Sequence, residues 1–204
     1  GEILEVKLEY GELENFKYYC KKNKISIVDF QYKESIICKI ELEEEVKQKL
    51  QEAINAQIVA EMWSANLYLS MSYFFAAKGY EGFASWMKAQ AHEESDHADV
   101  LAQYVMKRGG QAKVGAVDAV PQEWASPLDV FEHVYKHECH VSELIDKLVD
   151  VASAEKDKAS QDFLWGFVRE QVEEEATVQG ILDKIKLGGD VALYHLDIQL
   201  GARK

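Results

Sequence analysis

Cysteine is scarce and scattered: Cys20, Cys38 and Cys139 are odd in number and form no CxxC pair. That excludes a disulfide framework or a rubredoxin-type metal knot and makes a reducing compartment the expectation. No charge-free hydrophobic stretch reaches the ~20 residues of a membrane-spanning helix. The longest, from Met62 to Ala77, is interrupted by Ser64, Asn66, Ser70 and Ser72 and reads as a buried helix. The opening GEILEVKLEYGELE is acidic and alternating, without a basic start and an apolar block. No secretory signal is expected there, and the cytoplasm is the expected location. Positive charge is in deficit, with 23 Lys and Arg against 36 Asp and Glu and a net charge of −13. This disfavours nucleic acid and anionic membranes and favours cationic partners. Apolar residues are plentiful, 48% of 204, which is enough for a core and argues against disorder.

Two styles of sequence meet near residue 44. Before it, Ile3 to Tyr10, Ile25 to Tyr32 and Ile36 to Leu42 alternate apolar with polar and read as strands. Between the first two, Leu13, Phe16, Tyr19 and Cys20 recur at helical spacing. Residues 1–44 are therefore expected to form a small α+β extension, strand-helix-strand-strand, a fused or partial domain with too little chain to bury much alone.

From Leu42 onward the apolar period becomes helical. The spacing predicts helices over about 44–78, 82–108, 127–155 and 158–187, with a short fifth over 190–200. Gly79, Gly109 and Gly110, and Gly188 and Gly189 mark the stops, while Ser126 followed by Pro127 marks a start. The aperiodic stretch Gln111 to Ala125 is long enough to cross the bundle. The expected fold of 45–204 is an all-α four-helix bundle with one long crossover and a short fifth helix.

Charged and amide side chains intrude on every apolar stripe. Glu61 lies among Ile54, Ile58, Ala65 and Tyr68, while Glu94 and His97 fall among Phe83, Trp86, Met87, Gln90, Ala98, Leu101 and Tyr104. Glu138 interrupts Val130, Val134, Val141, Ile145 and Leu148, and Gln171 and Glu174 interrupt Phe163, Phe167, Val178, Ile181 and Ile185. These intrusions fall near mid-helix, so antiparallel packing should bring them to one level. Burying a single unpaired carboxylate costs several kcal/mol, and four together repel. No Lys or Arg occupies the stripes there, which leaves protons or metal cations. A Glu-x-x-His pair offers oxygen and imidazole ligands suited to iron, manganese or zinc, and two ions match the ligand count better than one.

Tyr68 packs in the core, and its hydroxyl is two turns from Glu61, within reach of a ligand. Glu93, Glu170 and Glu173 read as acidic helix surface, though each flanks an inward position and could hold a further cation. His133, His137 and His140 are offset from Glu138 and are expected on a solvated or intersubunit surface.

The motifs AEMWSANLY, AHEESDH, YKHEC and REQVEEE, in this order and on these helices, resemble those of bacterial non-haem ferritins from about Val46 to Lys204. The resemblance implies a ferritin-like fold and an iron-storage ferroxidase that oxidises Fe(II) with dioxygen or peroxide. One iron site would use Glu61, Glu94 and His97, and a second Glu94, Glu138 and Glu174 with Gln171 close by, Glu94 bridging the two. A third would draw on Glu93, Glu170, Glu173 and Glu174, with Tyr68 as hydrogen-bond or electron donor. It also implies a homo-oligomeric shell of twenty-four subunits. Residues 45–204 carry −10 of the −13, in keeping with attraction of iron. Ser95 follows Glu94 where bacterioferritins place a haem-ligating methionine, and Glu173 follows Glu170 where a second Glu-x-x-His would stand, so haem is not expected. The extension loosely resembles part of the small C-terminal domain of the IMPACT family, and its partner is not legible. Competing readings are a rubrerythrin-like peroxidase, disfavoured by the missing CxxC pairs, a manganese catalase, and a non-catalytic helical scaffold whose extension is an interaction module.

Overall fold

The computed structural model describes residues 3–9, 11–23, 25–32, 36–42 and 48–202. Its contacts divide the chain into two compact units, Gly1–Glu45 and Val46–Lys204.

In the first unit, β1 (Ile3–Leu8), α1 (Leu13–Lys22), β2 (Ile25–Tyr32) and β3 (Ile36–Leu42) follow one another. The sheet order is β1-β3-β2, with both outer strands antiparallel to β3. Val6 stands opposite Cys38, and a register irregularity interrupts β2 between Ile27 and Asp29. Leu8 and Cys20 are buried, with Val6, Leu13, Phe16 and Ile27 packed on them. Tyr19, placed on the apolar stripe by its spacing, is instead 56% exposed. The narrow buried stripe of this ten-residue helix is filled by its neighbour Cys20, with Leu13 and Phe16 alongside.

The second unit contains α2 (Gln48–Ala77), α3 (Glu81–Lys107), α4 (Pro127–Ala154) and α5 (Lys158–Gly201). The first four residues of the expected first bundle helix, 44–47, lie outside the described residues. Gly79 and Gly109 close α2 and α3 at φ +81°, a conformation that costs glycine little. At the start of α4 the Ser126 hydroxyl accepts from the Asp129 N–H, and the Asp129 carboxylate accepts in return from the Ala125 N–H. The expected break before the fifth helix is a kink within α5, where Gly189 takes φ 51° and ψ −138°.

Helix α2 packs mainly on α3 and α4 on α5, with α3 against α5 and α2 against α4 closing the bundle. The crossover from α3 to α4 has no regular structure, yet its backbone is held by side chains at Gln111, Lys113, Ala119 and Pro121. The Gln51 carbonyl accepts from Gln111 N–H, Asn55 donates to Gln111 O and accepts from Lys113 N–H, Trp63 donates to Ala119 O, and Ser70 to Pro121 O. These side chains all project from α2, so the helix supplies the partners that the loop cannot provide for itself. Among the described residues, no helix is long and apolar enough to cross a membrane.

The core is layered. One apolar cluster gathers Leu67, Met71, Phe75, Phe83, Trp86 and Phe131; another gathers Leu50, Ile54, Leu101, Ile145, Leu148 and Leu164. On every helix the polar intrusions fall between them.

The segment after Gly189 docks on the start of α3, where the Asp197 carboxylate accepts from the Phe83 N–H at 3.0 Å. A Cβ on Gly82 would stand 1.6 Å from Asp197 O, so only glycine permits this approach. Gly82→Ala is therefore expected to push the terminal segment off the bundle. A thermal midpoint lowered by about 5 °C or more, with a new proteolytic cut near residue 189, would report it; an unchanged midpoint would contradict this account.

Candidate metal centre

The polar level is assembled from all four bundle helices. Glu61 of α2, Glu94 of α3, Glu138 of α4 and Gln171 of α5 are buried, and Glu174 is half-buried one turn beyond Gln171. Each helix delivers its group there because the apolar residues on either side, such as Ile58 and Ala65 around Glu61, must face the core.

Glu61, Glu94 and His97 converge: each offers a ligand atom, and these atoms lie within 4.8 Å of one another. His97 Nδ1 is 3.2 Å from Glu94 Oε2, and its Nε2 is 3.4 Å from Glu170 Oε1. Gln57 donates to Glu61 Oε1 at 2.9 Å, whereas Glu61 Oε2 is buried with no hydrogen-bond partner among the described residues. An unpartnered carboxylate oxygen in a dry core is costly unless a proton or a metal cation completes it. The donor set of two carboxylates and an imidazole fits a first-row divalent metal.

Across the bundle, Tyr68 Oη and Gln171 Nε2 both donate to the Glu138 carboxylate, the latter at 3.1 Å, and Gln90 donates to Glu174 Oε2 at 3.2 Å. Among the other predicted residues, Glu93 and Glu170 are half-buried and Glu173 is exposed. Glu170 is thus brought onto His97, while Glu173 stays at the rim.

Burial is the largest influence on the acids. It pushes Glu61 up to about 8, helped by the charge of Glu94 and opposed by the Gln57 hydrogen bond. Glu94 is raised by burial, against its hydrogen bond to His97. Glu138 rises to about 7 through burial, against the bonds from Tyr68 and Gln171. Burial alone would lower His97, but the Glu94 hydrogen bond and the charges of Glu94, Glu170 and Glu61 lift it to about 9. Tyr68 is held well above the usual phenol range by burial and the Glu138 charge.

The histidine run on α4 departs from expectation at its centre. His140 is exposed, but His137 is only 8% exposed, bonded to Ser64 Oγ at 2.8 Å and lying between the rings of Trp63 and Tyr68. His133 accepts from Trp124 Nε1 at 3.0 Å. The buried face of α4 is wide enough to take both residues 137 and 138. Sequence reasoning also passed over Gln57; a glutamine one turn before an inward glutamate was the available signal.

The family model described as Ferritin-like domain matches residues 51–188. The bacterial non-heme ferritin of Bacteroides fragilis is 64% identical over 158 residues, covering 78% of this chain and 99% of that protein. That of Campylobacter jejuni is 42% identical over 137 residues, covering 67% and 82%. Among solved structures, the open pore ferritin from the hyperthermophilic archaeon Archaeoglobus fulgidus superimposes with a TM-score of 0.76 at 47% identity, covering 78% of this chain and 99% of that one.

Because the folded metal-free centre holds protons that the unfolded chain would release, its stability is greatest below the ordinary carboxylate range and falls as pH rises through the values of Glu138, Glu61 and His97, about 7, 8 and 9. Thermal unfolding of the metal-stripped chain is expected to show a midpoint declining from pH 6 to 9, with divalent cations reversing the decline. A midpoint that is flat with pH would count against the buried cluster.

Proposed function

We propose a function from one premise: this chain belongs to the ferritin family. It stores iron, oxidising Fe(II) at a carboxylate centre with dioxygen or peroxide and holding the ferric product as mineral. The observation that carries this reading is the convergence of the buried Glu61 and Glu94 with the half-buried His97, beside which one Glu61 oxygen is buried without a hydrogen-bond partner.

Glu61, Glu94 and His97 would hold one ion, and Glu94, Glu138 and Glu174, with Gln171 beside them, the second. Glu94 would then bridge the two. Carboxylate oxygens suit both oxidation states of iron, so the same ligands can accept the substrate and release the product. Protons carried by Glu61, Glu138 and His97 at neutral pH leave as cations enter. Tyr68 steadies Glu138 by donating to it and can also supply an electron. Glu93, Glu170, Glu173 and Glu174 would form a looser third site, where Glu170 links the rim to His97. A shell of twenty-four copies in the cytoplasm, its acidic bundles drawing in Fe(II), completes the proposal. Residues 1–44 stand as a separate fused or partial domain.

Aerobic addition of Fe(II) tests the reading: fast oxidation followed by soluble ferric mineral supports storage. Rapid peroxide loss with manganese would support a catalase instead, and no reaction would support a scaffold. Glu94→Ala is expected to slow the initial oxidation at least tenfold while leaving the helical circular dichroism intact. Unchanged kinetics in that variant would refute the bridging role.

A further inference from the structure

Three carboxylates of the polar level each receive an amide N–H from a buried glutamine: Glu61 from Gln57, Glu138 from Gln171 and Glu174 from Gln90. Gln57, at 4% exposure, lies outside the ligand set proposed above.

The chemistry of this donor decides what it can do. A lysine or arginine at position 57 would also bond Glu61, but its charge would satisfy the carboxylate and compete with a divalent ion. An amide donates without formal charge, so the attraction of Glu61 for a cation survives. It also engages one oxygen only: Oε1 is bonded at 2.9 Å, and Oε2 is left buried and unpartnered. Because residues 57 and 61 are one helical turn apart on α2, the helix itself sets their relation.

We propose that Gln57 is a positioning residue for the iron centre: its amide pins Oε1 of Glu61 so that Oε2 is presented to the cation shared with Glu94 and His97. Gln57 touches neither iron nor oxidant and acts through Glu61. The inference rests on the iron-binding reading of the centre.

Calorimetric titration of Co(II) into the metal-stripped, full-length chain, read beside the Co(II) d–d absorption band, tests it. Gln57→Leu is expected to weaken the tighter Co(II) step by ~10–100-fold and to shift the band, with helical circular dichroism unchanged. Gln57→Met, nearer in shape, should lose as much and serves if the leucine variant does not fold. Gln103→Leu removes an exposed amide–carboxylate pair of the same spacing, Gln103 to Asp99 at 2.9 Å, and should leave both signals as in the wild type. Wild-type affinity with an unshifted band in a folded Gln57 variant overturns the positioning role, as does failure of both variants to fold, which would assign Gln57 to core packing. If the wild-type chain takes up no Co(II), or takes it up equally after Glu94→Ala, the iron reading itself fails.

Discussion

Four carboxyl groups held in a water-poor layer govern the bundle. Ionised, they repel one another across a medium that screens poorly; protonated, they forfeit their attraction for cations. The structure stands between these limits. Glu61 and Glu138 are pushed close to neutrality, and His97 is lifted to share a proton with Glu94. Such a centre would accept a divalent ion by exchanging protons for it.

The apolar layers on either side give that centre its rigidity. Phe75, Phe83, Trp86 and Phe131 form one block of interlocking rings, and Leu50, Ile54, Leu101 and Ile145 fill the other. Neither block contributes chemistry, but together they fix the level at which four helices deliver their polar groups. The uncharged donors Gln57, Gln90, Gln171 and Tyr68 then orient the carboxylates without neutralising them.

Much of this was legible because a glutamate in an apolar stripe is a loud anomaly. Glu61, Glu94 and Glu138 each broke a helical period, and glycines and the Ser126–Pro127 pair marked most of the helix ends. Amides are quieter: Gln57 fits a buried face or a solvated one equally well, and only its bond to Glu61 separates the two. His137 was misplaced for a related reason, since the periodicity of α4 does not disclose how broad its buried face is. Tyr19 failed where a short helix has too few turns to define its stripe. The docking of Asp197 on α3 joins positions more than a hundred residues apart, and no local pattern encodes it.

The strapped crossover has a consequence for how the protein tolerates change. Most of the loop's fastenings use its own main chain, which any amino acid carries, while the matching side chains sit at Gln51, Asn55, Trp63 and Ser70. The path of the loop is thus written in a different part of the gene from the loop itself. Sequence drift between residues 111 and 121 can be broad where the side chains face outward, though not at Ala112 and Val120, which pack on the core, whereas a single exchange on the helix can loosen a segment some fifty positions downstream.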